Sequence, residues 1–395
     1  LLQLRADLTK LRNDRPEFAV LRARASALID KGDFDGARGV LREGRRRADE
    51  MLEELSRTKA GFLTDEARVD RLQLNYDSAC AKFAEAAQLD PDNVRLWIEL
   101  GDLWMTRGSL AEAAKAFFAA RDAATARSGT DSDLSASYNR IGNVQVAQGD
   151  LAGALKSYSD GLAIIDRQVK SDPNNAARRR DLYAFHTFVG NVQVEQGDLA
   201  GALKSYNDGL AIIDRLTKSD PENAGWQRQL SVSYLKIGDV QVAQGDLAGA
   251  LKSYSDGLAI RDRLAKSDPG NAGWQRDLSV SFDKVGDVQV AQGDLAGALK
   301  SYRDSLAIAD RLAKSDPGNA GWQRDLSVSY AKLAIAYGKS NETEKAREAL
   351  TSGRAIIAKL VEQHPDWGQW KQDLAWFDEQ IAELGEASAK EMPKP

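Results

Sequence analysis

The chain has 395 residues, 43% of them hydrophobic, which suits a folded protein rather than a disordered one. Its net charge of −5 excludes the basic balance a dedicated nucleic-acid binder needs to displace counterions. One cysteine, Cys80, leaves no internal disulfide and no cysteine-based zinc site, and no apolar run approaches the ~20 residues that cross a bilayer.

Residues 1–17 read as an N-terminal helix or linker. Leu1-Leu2-Gln3-Leu4 is broken at once by Arg5 and Asp7, so no signal peptide is expected and a cytoplasmic location is. The chain lacks a starting Met, and we read it as a piece of a longer protein. Residues 18–127 read as three divergent helix–turn–helix repeats. The first, 18–51, rests on Leu21, Ala25, Leu28, Gly32-Asp33, Ala37 and Leu41. The second, 60–93, rests on Ala79, Phe83, Ala86 and Pro91, and the third on Trp97, Leu100, Gly101, Trp104, Ala113 and Phe117. Ser128-Gly129-Thr130-Asp131-Ser132 marks a loop over 128–134.

The regular part follows at 135–360. The phrase GNVQVAQGDLAGALKSY starts at Gly142, and close copies start at Gly190, Gly238 and Gly286, a period of 48 residues. Asp-Pro pairs recur in step at Pro173, Pro221, Pro269 and Pro317, and Trp226, Trp274 and Trp322 keep the same period. Within one unit, Trp226, Leu230, Tyr234, Ile237, Val240 and Val242 give one apolar helix face. Gly245-Asp246 break that helix and cap the next, which carries Leu247, Ala250, Leu251, Tyr254, Leu258, Ile260 and Leu264 and stops before Pro269. Four long units are followed by a divergent fifth over 327–360. A capping helix over 361–385 and a frayed tail over 386–395 complete the reading.

These residues resemble the tetratricopeptide repeat, whose signature is W-x2-L-G-x2-Y, then A-x3-F, then P. Trp97, Leu100, Gly101, Trp104, Ala113 and Phe117 fit it, and so do Tyr234, Ile237, Gly238, Ala250, Tyr254 and Gly257. The units depart from it in length and in placing Gln145, Gln193, Gln241 and Gln289 where an aromatic is usual. The resemblance implies an all-α, right-handed α-α superhelix of about eight repeats. Gly101, Gly142, Gly190, Gly238 and Gly286 would allow close helix approach, and Trp226, Trp274 and Trp322 would pack between repeats.

The resemblance also implies that first helices line a concave groove. Asp102, Asn143, Asn191, Asp239, Asp287 and Ile335 would form one row. Met105, Val146, Val194, Val242 and Val290 would form a second, and Ile98, Asn139, Thr187, Leu235 and Asp283 a third. An apolar valine strip beside amides and acids suits an extended peptide or a helix. In near-identical repeats such positions are also copied along with the core, so an edge, a convex face or a second copy of the chain competes with the groove. Some members of this family clamp a partner's C-terminal carboxylate. Here Asn139 stands where the clamp needs Lys, so no preference for acidic C-termini is expected.

No catalytic or metal constellation is legible: there is no GxxxxGK[ST] and no HExxH. Asp239 and Asp246 recur along the array, whereas an active site would be unique. Cys80 reads as a small buried residue, His186 as packed or lining a groove, and Arg45-Arg46-Arg47 as a solvated helix face neutralised by nearby acids. The expected function is therefore a non-catalytic scaffold or adaptor without cofactor, metal, nucleic acid or membrane insertion. A self-assembling homo-oligomer and a sensor module of a signalling or effector enzyme are the alternatives.

Overall fold

The computed structural model describes residues 15–127 and 131–391, with side chains described through 385. Among the described residues it is all-α, with sixteen helices and no strand. They divide into two compact units, 1–157 and 158–395, of which the second is the more regular. The reading of residues 1–14 as helix or linker lies outside the described residues.

In the first unit, α1 (Pro16–Asp30) and α2 (Phe34–Leu72) form the opening hairpin. Then come α3 (Tyr76–Leu89), α4 (Val94–Thr106), α5 (Leu110–Ala126), α6 (Asp131–Ala147) and the start of α7 (Leu151–Ser171). Two boundaries differ from the sequence reading. Helix α2 is a single helix of 39 residues that runs through the expected gap between 51 and 60. It has no proline and no Gly-Asp break, so nothing in it stops a helix. Its start packs on α1 through Ala37, and its end packs on α3 through Ala60 and Ala67. One helix thus serves as the second member of one hairpin and the first of the next. The expected 128–134 loop is also shortened, because Asp131 and Asp133 already lie in the first turn of α6, where carboxylates suit the helix dipole.

The second unit holds the rest of α7, then α8 (Ala176–Glu195), α9 (Leu199–Ser219), α10 (Ala224–Ala243), α11 (Leu247–Ser267), α12 (Ala272–Gln292), α13 (Leu295–Ser315), α14 (Ala320–Lys339), α15 (Thr343–Gln363) and α16 (Gly368–Glu391). Consecutive helices pair as hairpins, α8 with α9, α10 with α11, α12 with α13 and α14 with α15. The first three pairs are closed by the same chemistry, whereas α14 and α15 turn through Asn341 at φ +59° with no side-chain cap at Glu342. Gly197, Gly245 and Gly293 sit at φ near +80°, which only glycine adopts cheaply. Asp198, Asp246 and Asp294 then cap the second helix by accepting the backbone N–H three residues on, each at 2.9 Å. Asn223, Asn271 and Asn319 cap the first helices in the same way at 3.1 Å. The last helix continues to Glu391, through part of the stretch read as tail, because nothing after Gly385 breaks it.

Four of the five glycines stand against an aromatic ring. A Cβ at Gly190 or Gly286 would stand 2.5 Å from a ring carbon of Tyr206 or Tyr302 on the partner helix. Gly238 meets Tyr254 and Gly101 meets Phe117 in the same fashion, and Gly142 is buried. The glutamines in the usual aromatic slot have a different partner: Gln193, Gln241 and Gln289 accept from the hydroxyls of Ser205, Ser253 and Ser301 at 2.7–2.8 Å. A polar clasp inside the hairpin replaces the aromatic contact. Trp226, Trp274 and Trp322 are only half-buried, sitting at the rim of the apolar clusters around Ile260 and Leu278. Trp274→Ala should therefore cost about 2 kcal/mol, below the range for a fully buried Trp, as read by denaturant melts.

Candidate functional site: the first-helix face

In the first unit, Asp102 on α4 forms an ion pair with Arg140 on α6 at 2.8 Å. Burial pushes the Asp102 carboxyl up even though Arg140 pulls it the other way. The Asn143 amide donates to Asn139 at 3.3 Å, one turn back on α6, and Val146 is half-buried. These four expected groove residues thus lie on α4 and α6, with Asp102 neutralised and the two amides joined.

In the second unit the first row is built as a ladder. Asp239 accepts from the Tyr254 hydroxyl of its own hairpin at 2.6 Å and from Lys284 of the next at 2.7 Å. Asp287 repeats this with Tyr302 at 2.7 Å and Lys332 at 2.6 Å. Asn191 does so with Tyr206 and Lys236, both at 2.8 Å. Each lysine also lies over the ring of the same tyrosine, 5.6–5.9 Å from its centroid. Burial pushes the Tyr206 hydroxyl up to about 12, with Asp239 and Glu195 adding to it, and burial likewise raises Tyr302, helped by Asp287.

One rung of the ladder differs. Lys236 meets an amide at Asn191 where Lys284 and Lys332 meet carboxylates. Burial lowers its pKa, and Asp239 only partly opposes that. It lines a cleft of about 300 Å³ with Asn191, Val194, Leu199, Tyr206 and Asp239. Of the valine row, Val194 (39%) and Val242 (41%) are exposed, as is Ile335 in the first row (41%), whereas Val290 packs against the last core cluster. The third row is not a surface row. Thr187 donates to the Tyr183 carbonyl of its own helix, Leu235 packs beside Tyr254 and Val285, and Asp283 is largely buried. Asp283 and Leu235 face the neighbouring hairpin, so this row is spent on packing.

A second ladder escaped the sequence reading. Arg228, Arg276 and Arg324 reach Asp277, Asp325 and Asp373 of the next hairpin at 2.5–2.7 Å. The signal was present as an Arg and an Asp 49 residues apart, repeated three times from Arg228 onward. No intra-helix rule links residues so far apart.

The singled-out reactive residues are structural in their surroundings. Cys80 is buried, and burial raises its thiol pKa, with Arg107 opposing. His186 lies against Gly209 of α9, and burial lowers its pKa. Arg46 and Arg47 pair with Glu43, and Arg46 also with Glu50. Among the described residues, no group of three His, Cys, Asp or Glu could hold a metal ion, and no helix is long and apolar enough to cross a membrane.

Stacked helical hairpins with glycine–aromatic contacts define an α-α repeat protein. Residues 64–129 match the family model described as Tetratricopeptide repeat. That stretch carries the tetratricopeptide repeat, and the helical hairpins of the rest of the chain are similar to it in architecture. No curated protein sequence matches the chain. Many solved structures are similar to it in fold, among them two with TM-scores just above 0.5. BtubC (BKLC) from P. vanneervenii is 16% identical with a TM-score of 0.51, over 65% of this chain and 93% of that one. The Signal Transduction ATPase with Numerous Domains protein PH0952 from Pyrococcus horikoshii, with a tetratricopeptide repeat sensor, is 14% identical with a TM-score of 0.53. That match covers 98% of this chain and 54% of the other.

Proposed function

We propose that the chain is a non-catalytic scaffold within a larger protein, and that it binds a peptide or protein partner on the first-helix face of its second unit. The observation that carries this reading is the pairing of exposed Val194 and Val242 with the ladder around Lys236. Two exposed valines one repeat apart offer apolar contact to alternate side chains of an extended segment. Lys236, held by a neutral amide, is the rung with charge left to offer a partner's acceptor. Asp239 and Asp287 already satisfy Lys284 and Lys332, so those rungs favour the array over a ligand.

The test is affinity capture from the source cell with the parent chain and with Val194→Lys/Val242→Lys. A partner held by the parent and lost by the variant supports the reading. Capture that ignores the substitutions moves binding to another face. Recovery of only the same chain, with a size in light scattering that grows with concentration, replaces the adaptor by a self-assembling scaffold.

A further inference from the structure

The proline that follows α9, α11 and α13 removes a hydrogen bond as it stops the helix. The carbonyl four residues before Pro221, Pro269 and Pro317 belongs to Thr217, Ala265 and Ala313, and proline has no N–H to give it. Two of these carbonyls are repaired from the next helix. Gln275 on α12 folds inward and donates to the Ala265 carbonyl at 3.0 Å, and Gln323 on α14 does the same for Ala313 at 3.0 Å. Gln275 is 8% exposed, so its stem fills the space between the hairpins. Gln227, their copy on α10, turns away and donates to the Pro221 carbonyl instead. In its place lies a cleft of about 590 Å³, floored by Leu230, Ile260 and Leu264, with Thr217 in its wall. Alanine carries the carbonyl where the glutamine folds in. Where it does not, the residue is Thr217, whose branched side chain donates to the Ile213 carbonyl at 2.9 Å.

We propose that this cleft binds a partner peptide through a glutamine side chain, whose carboxamide donates to the Thr217 carbonyl while its stem and an apolar neighbour cover Leu230 and Leu264. Two observations select this occupant. The first is what fills the same place in the next two repeats: an apolar stem ending in an amide N–H, supplied there by Gln275 and Gln323. The second is charge. Glu222 and Arg263 both line the cleft and balance, and Lys218 is met by Asp214 at 2.7 Å, so there is no net charge to draw an ion. The carbonyl end of α9 also disfavours a carboxylate, which separates glutamine from glutamate. The volume lies in the range of ligand pockets, which leaves room for the glutamine and its neighbour. Gln227 and Val242 are fifteen residues apart on α10, about 22 Å along the helix. The cleft is therefore a separate site and does not rest on the face proposed above.

Peptide titrations of the full chain, followed by methyl NMR, test this. The probe is acetyl-Leu-Gln-Leu-amide, set against the same peptide with Glu or Met in the middle. The glutamine peptide should bind on the order of tenfold more tightly than either. Thr217→Ala gives this cleft the residue found in its two copies, so Gln227 should fold in and weaken the glutamine peptide on the order of tenfold. Thr217→Ala/Gln227→Ala removes the competing side chain and should restore binding. Equal affinity for the three peptides, no response to the glutamine peptide, or parental binding by Thr217→Ala overturns the proposal. A double variant that does not regain affinity overturns it as well, because the peptide would then be held by the Thr217 side chain and not by the vacated space. Binding that survives Thr217→Ala and is lost in Val194→Lys/Val242→Lys overturns it in favour of the first-helix face.

Discussion

Gly238→Leu should destabilise the second unit by about 3 kcal/mol, at the upper end for overpacking. Any side chain at Gly238 runs into the Tyr254 ring, which is 2% exposed and cannot swing away. The ring is held at its far end as well, since its hydroxyl donates to Asp239, and Asp239 holds Lys284 of the next hairpin. Displacing Tyr254 therefore costs packing inside one hairpin and loosens the rung to its neighbour. The hairpins stack in series, so the loss should spread to adjacent repeats and lower the cooperativity of the melt. Gly245→Ala is the comparison: nothing stands within 4 Å of its Cβ, and only the strain of φ +81° is incurred, about 1 kcal/mol. Denaturant melts of both variants followed by Trp fluorescence decide the matter. Equal midpoints would show that the Tyr254 contact is not what demands glycine at 238.

Local rules made the hairpins legible before the structure. Gly-Asp turns, Asp-Pro stops and small residues at Gly238 and Ala250 act within a few residues of themselves, so their effect can be read from the string. Helix α2 was legible too, in what it lacks: no Pro or Gly-Asp lies between Phe34 and Leu72. The template of one repeat per turn obscured that. The ladders were not legible. Lys284 finds Asp239, and Arg276 finds Asp325, only once neighbouring first helices are aligned, and that alignment is a tertiary fact. The same reason explains the candidate face. Asp239, Asp287, Ile335, Val194 and Val242 are exposed, whereas Val290, Leu235 and Asp283 are drawn into packing because adjacent first helices lie close there.

Asp283 supplies the other large expected effect. Its counterparts one repeat back and one repeat on are Leu235 and Ala331, so a carboxyl stands where its neighbours are apolar. One carboxyl oxygen is buried without a hydrogen-bond partner. Burial raises its pKa to about 6, with Asp287 and Asp325 adding to the rise and Ser305 and Lys332 opposing it. In the unfolded chain the same group titrates near 3.9. The folded state thus favours the protonated form. Its stability is complete with respect to this group below about pH 4, declines as pH rises through 6, and is lowest above that. A rise of about two units corresponds to about 2–3 kcal/mol. Asp283→Asn keeps the shape and cannot ionise. The variant should match the parent at pH 4 and exceed it by about 2 kcal/mol at pH 7.5, with the gap opening between those values. Urea melts of both proteins across that range measure it. A constant gap would mean that Asp283 is ionised in the fold throughout, so that Lys332, and not burial, governs its charge.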